Sequence, residues 1–178
     1  MNMVAEKVLE QIEFLEEENR KALLVDTFSP DRVEKFVMGE ATLGQLYGIT
    51  MDEAYSVAQF GYTFLEQGKY KQAQTIFQAL VLSNPYDGYF HELLGSVYQR
   101  LGMHTGAIEE YTLAVALDPA NIPSWVNRGE LFMQKGDFQQ AASDFKKAVD
   151  LDPAGTHPSA NRARALAGAT LAALKNVS

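Results

Sequence analysis

Apolar residues along this chain recur with a helical rhythm throughout. Near the start, Val4, Val8, Ile12 and Leu15 fall one turn apart and define one face of a helix predicted from Met3 to Leu24. Glu16 with Arg20 and Glu17 with Lys21 are supporting pairs four residues apart. A stripe this narrow is marginal on its own in water, so the helix is expected to dock on the body of the chain or on a second copy, and these four residues are the candidates for self-association. A second segment opens at Ser29-Pro30, a cap followed by proline at the first helical position. Thr50 and Glu53 have the spacing of a capping box, which predicts another helix start just after Thr50.

From Ala54 to Gly155 the pattern copies itself every 34 residues. Gly61, Gly95 and Gly129 form one column and Gly68, Gly102 and Gly136 a second; Ala73, Ala107 and Ala141 form a third. Aromatic columns are Phe64, Tyr98 and Phe132, then Phe77, Tyr111 and Phe145, and Pro85, Pro119 and Pro153 close each unit. A period of this length denotes a helix–turn–helix repeat. The first glycine column lets the two helices of a pair approach, with the alanines as the matching small surface. The second glycine column sits in the turn, where positive φ is cheapest for glycine. Phe64, Tyr98 and Phe132 are expected to fill the space within a pair, and Phe77, Tyr111 and Phe145 to reach towards the next repeat. The prolines end the second helices. The expected fold class is all-α: three repeats (54–87, 88–121 and 122–155), preceded by a helical extension over 1–50. Residues 156–178 should form a terminal capping helix with Leu166, Thr170 and Leu174 on one face.

Charge and composition narrow the function. The 178 residues carry a net charge of −8 and no cysteine. That charge would repel nucleic acid and anionic lipid, and the missing cysteines remove any disulfide framework or thiolate chemistry. The acidic start does not have the make-up of a secretory signal, so a cytoplasmic protein is expected. His91, His104 and His157 are isolated, and no nucleophile–base pair or metal-ligand spacing stands out, so the sequence predicts no enzyme, no cofactor and no metal site. Val57 and His91 stand in the column where Trp125 supplies the usual tryptophan. Arg128 occupies a column that is normally buried and apolar, so it must snorkel or find a partner.

The repeat columns are those of the tetratricopeptide family. More specific is the segment Gly39-Glu40-Ala41-Thr42-Leu43-Gly44-Gln45-Leu46-Tyr47-Gly48-Ile49-Thr50, followed by Gln67-Gly68-Lys69-Tyr70, Phe77-Gln78-Ala79-Leu80 and Tyr86-Asp87. From Gly39 to Gly136 the chain resembles the class II chaperones of bacterial type III secretion. The resemblance implies a chaperone that binds hydrophobic translocator proteins before export, a homodimer formed through the amino-terminal region, and a concave groove gripping an extended client segment with proline and leucine anchors. A tetratricopeptide adaptor joining other proteins is the alternative.

In such arrays the groove is lined by the first helix of each repeat. Counting along those helices gives Tyr55, Ala58, Gln59, Tyr62 and Leu65 in the first repeat and Tyr89, Leu93, Ser96 and Gln99 in the second. The third contributes Val126, Asn127, Glu130 and Met133. Aromatics and methionine could form pockets for apolar anchors while the amides bond a peptide backbone.

Overall fold

The computed structural model describes residues 29–177, in which nine helices and no strand occur. The stripe Val4, Val8, Ile12 and Leu15 lies outside the described residues. The chain forms two compact units that meet in sequence at Met51 and Asp52.

In the first unit, α1 spans Pro30–Val37 and α2 spans Leu43–Leu46. Ser29 caps α1 as expected, its hydroxyl accepting from the Arg32 amide, and proline occupies the first turn. Thr42 and Gln45 form a reciprocal capping box around α2, satisfying two otherwise unpaired donors. Gly39 and Gly48 end the two helices at positive φ.

The second unit is built of helix pairs. These are α3 (Met51–Glu66) with α4 (Tyr70–Ser83), α5 (Gly88–Arg100) with α6 (His104–Leu117), and α7 (Ile122–Gln134) with α8 (Phe138–Asp150). A final helix, α9 (Pro158–Val177), packs on α7 and α8. Gly68, Gly102 and Gly136 turn each pair at φ of 72°, 74° and 79°, the left-handed region predicted for them. Side-chain caps start the later helices: Asp87 accepts from the Tyr89 amide, Asn121 from Ser124 and Asp137 from Gln140.

The tight helix pairs depend on what the first glycine column omits. A Cβ on Gly61 would lie 2.6 Å from the Phe77 ring, one on Gly95 would lie 2.9 Å from Tyr111, and one on Gly129 would lie 2.8 Å from Phe145. The aromatic column therefore folds back onto the glycine of its own repeat, which corrects the expectation that it chiefly reaches forward. Ala73, Ala107 and Ala141 are fully buried beside these rings, but the ring is what meets the glycine. Phe77, Tyr111 and Phe145 are likewise fully buried, each stabilising the fold by about 1.5–3 kcal/mol through lost apolar exposure.

The capping helix behaves as predicted. Ala160, Ala163 and Thr170 are fully buried, and Leu166 packs on the cluster formed by Ile122, Val126, Ala148 and their neighbours. Its entry is fixed by Asp152, whose carboxylate accepts from the Thr156 and His157 amides, the Thr156 hydroxyl and Arg164. Those donors, led by the His157 amide, hold the Asp152 carboxyl down to about 2.

Candidate functional site: a groove along the first helices

The successive first helices, α3, α5 and α7, together with α9, line a cavity of about 670 Å³. Because α9 follows α8 as the first helix of another repeat would, it supplies the groove's last wall. Tyr62 and Leu65 come from α3, and Tyr70 and His104 stand at the starts of α4 and α6. Glu92, Leu93, Ser96, Gln99 and Arg100 come from α5, with Tyr111 of α6 behind them. Pro123, Asn127, Glu130 and Gln134 belong to α7, and Ser159 and Arg162 to α9.

The two ends differ chemically. At the α3 end the walls are Tyr62, Leu65, Tyr70 and Leu93, suited to apolar anchors. Mid-groove, the Tyr111 hydroxyl donates to Gln99 Oε1 at 2.8 Å and lies 3.2 Å from Ser96 Oγ. Burial pushes the Tyr111 phenol up to about 12, so it stays a neutral donor. At the α9 end Arg162 Nε reaches Glu130 Oε1 at 2.8 Å, and the same guanidinium donates to Asn127. Burial raises the Glu130 carboxyl above its usual value, and Arg162 opposes that shift.

Of the residues expected in the groove, the structure brings together Tyr62, Leu65, Leu93, Ser96, Gln99, Asn127 and Glu130. Tyr55, Gln59 and Tyr89 are exposed but outside the cavity. Tyr55 and Tyr89 stand with ring centroids 6.1 Å apart, and the Tyr55 hydroxyl donates to Asp87 at 2.9 Å, so this aromatic ledge also ties the first repeat to the second. Ala58, Val126 and Met133 are corrections. Ala58 is fully buried among Ala73, Phe77 and Phe90, because the second repeat closes over it. Val126 is fully buried in the cluster that includes Ala160 and Ala163, and Met133 packs on that cluster with its sulfur accepting from the Thr170 hydroxyl. The helix α9 therefore takes the face that the sequence assigned to a client.

Comparison with known proteins gives this groove a family. Models described as "Tetratricopeptide repeat" match residues 59–122 and 122–154. Low calcium response locus protein H of Yersinia pestis is 29% identical over 119 residues, which are 67% of this chain and 71% of that protein. The type III secretion translocator chaperone SycD of Yersinia enterocolitica superposes with a TM-score of 0.65 at 26% identity, over 72% of this chain and 98% of SycD. PcrH, solved with the chaperone binding region of PopD, gives a TM-score of 0.64 at 30% identity, over 70% of this chain and 96% of PcrH. The chain belongs to the class II translocator chaperones of type III secretion, within the tetratricopeptide-repeat superfamily.

The chaperone's groove includes residues that sequence reasoning missed, and a signal for some of them was present. Tyr70 and His104 share one column, as do Arg100 and Gln134, so extending the period to the helix ends would have found them. Glu92 shares the column of Ala58 and Val126, and its acidity was the clue. Arg162 and Ser159 carried no such signal, since only the packing of α9 places them beside α7. Among the described residues no three His, Asp or Glu side chains are grouped to hold a metal, and no helix is long and apolar enough to cross a membrane.

Proposed function

We propose that this chaperone works in the cytoplasm without catalysis, holding an extended segment of a hydrophobic translocator protein in its groove so that the client stays soluble before export. The groove itself carries the reading: a continuous cavity with an aromatic and apolar end and a floor of hydroxyl and amide groups fits an extended peptide with spaced apolar anchors. PcrH is solved with the chaperone binding regions of PopD and PopB, and SycD with a peptide of the translocator YopD, which supports carrying the client class to this chain. Tyr62→Ala with Tyr89→Ala should weaken binding of a fluorescent translocator segment by roughly 1–4 kcal/mol, the range for aromatic anchors, with unchanged helical content. Co-expression should keep the full translocator soluble with the wild-type chain. Equal affinities for both proteins would move the client to another face.

We also propose that the chain pairs with itself through Val4, Val8, Ile12 and Leu15. SycD is described as a dimer, and a narrow apolar stripe needs a partner. Val8→Glu with Ile12→Glu should shift the mass measured by light scattering towards the monomer, and an unshifted mass would refute the assignment.

A further inference from the structure

In repeats of one design, a residue that departs from its column needs its own physical reason. The column formed by Ala58, Glu92 and Val126 is apolar and fully buried in the first and third repeats. In the second it holds a carboxylate that lines the groove. A half-buried charge is costly unless it is matched. Elsewhere in this unit the matching cation is present: Glu130 has Arg162, Asp144 has Arg128, Asp152 has Arg164 and Glu110 has His91. Glu92 has none among the described residues. Its partner is a neutral amide, the Asn121 Nδ2 donating to Oε2 at 2.8 Å.

The surroundings of Glu92 sharpen the imbalance. Asp118, Tyr89 and Tyr111 are near enough to interact with its charge, and the one countering group is the His157 ring. Burial foremost, with Asp118, raises the carboxyl, while Asn121 and His157 pull it down. Asn121 also caps α7, its Oδ1 accepting from the Ser124 amide at 2.9 Å, so its amide is fixed and can only aim the Glu92 carboxylate. A carboxylate held in a groove wall without a counter-ion has the form of half an ion pair.

We propose that Glu92 is a specificity subsite of the groove, accepting a lysine or arginine side chain of the client segment beyond its apolar anchors. The assignment rests on the groove being the client's site. It fits the chain's net charge of −8, which favours a client segment bearing positive charge. A cation arriving from the client would complete the pair that the repeat leaves open.

The test uses fluorescein-labelled twelve-residue peptides with leucine and proline anchors, in which a single lysine, norleucine or glutamate is moved along the intervening positions. Against the wild-type chain, lysine at one position should bind at least about tenfold tighter than norleucine there, with glutamate weakest. Glu92→Gln keeps the acceptor for Asn121 but removes the charge; it should equalise lysine and norleucine while leaving the norleucine affinity within about twofold and the melting curve unchanged. Glu130→Gln, whose carboxylate is already paired, should retain the lysine preference. Binding without any lysine preference, a preference that survives in Glu92→Gln, or one that disappears in Glu130→Gln instead would overturn the subsite while leaving the groove reading intact. If no peptide of the series binds, the groove reading fails and the subsite with it.

Discussion

The second and third repeats solve the same packing problem with different cations. In the third, the Trp125 indole donates from Nε1 to the Pro119 carbonyl at 3.0 Å. In the second, His91 stands in that column, and its Nε2 lies 3.0 Å from the Pro85 carbonyl, the equivalent acceptor. The imidazole has a second nitrogen, and it meets Glu110 at 2.7 Å. Both neighbours of the ring are acceptors, an arrangement that suits the doubly protonated cation. Glu110 is the column-mate of Asp144, and in the third repeat that acid is held instead by Arg128, which also lies over Trp125 and Phe132 and donates to Thr112. Where His91 is the cation, the Arg128 column holds buried Leu94. The first repeat has Val57, Phe60 and Ile76 at these places and no charge at all. What is kept between the two charged repeats is one ion pair inside the helix pair, while the column that supplies the cation moves by a turn.

Removing one half of the more buried pair should have the largest effect. The Arg128 and Asp144 side chains are 13% and 3% exposed, and two parallel hydrogen bonds of 2.9 and 2.8 Å join them. Arg128→Leu would leave Asp144 buried without its cation and should cost about 3–5 kcal/mol in urea unfolding. Converting the third repeat to the apolar solution of the first, with Arg128→Leu and Asp144→Ile together, should restore stability to within about 1–2 kcal/mol of wild type. A double variant no better than the single one would show that the site cannot repack without charge.

The second repeat's pair responds to pH. Burial lowers the His91 ring's proton affinity, but Glu110 and the Pro85 carbonyl more than offset it, and the net position is above the ordinary histidine value. A group raised on folding contributes stability that is fully present below its unfolded pKa of about 6.5 and is lost as pH rises through the folded value. The urea midpoint should therefore fall as pH increases past neutrality, and His91→Gln should flatten that slope. A slope unchanged in His91→Gln would assign it to other groups.

The repeats were legible in the sequence because each glycine and aromatic column answers to a local steric rule: a turn at positive φ, or a ring where a Cβ would clash. The partner of Arg128 was not, because Asp144 lies sixteen residues away on the antiparallel helix and either of two neighbouring columns could have served it. The groove was legible only in part for a similar reason. Helical spacing picks out a face, but whether that face meets solvent or a neighbour depends on where the next helix lies. Ala58 lost its exposure to the second repeat, and Val126 and Met133 lost theirs to α9. Glu92 was passed over although its column-mates are alanine and valine, because the columns were used to align the repeats and not to ask where one of them breaks ranks.

Trp125 gives the third repeat a spectroscopic signature of its own. It is the chain's single tryptophan, and the Arg128 guanidinium sits 5.0 Å from its ring. Its emission therefore reports the environment at one end of the array, whereas the far-ultraviolet circular dichroism signal sums every helix. Stacked repeats couple mainly to their nearest neighbours, so the array need not melt as one block. Following both signals through one denaturant titration separates the two cases: coincident curves mean a single cooperative unit, and an early or late fluorescence transition gives the order in which the repeats come apart.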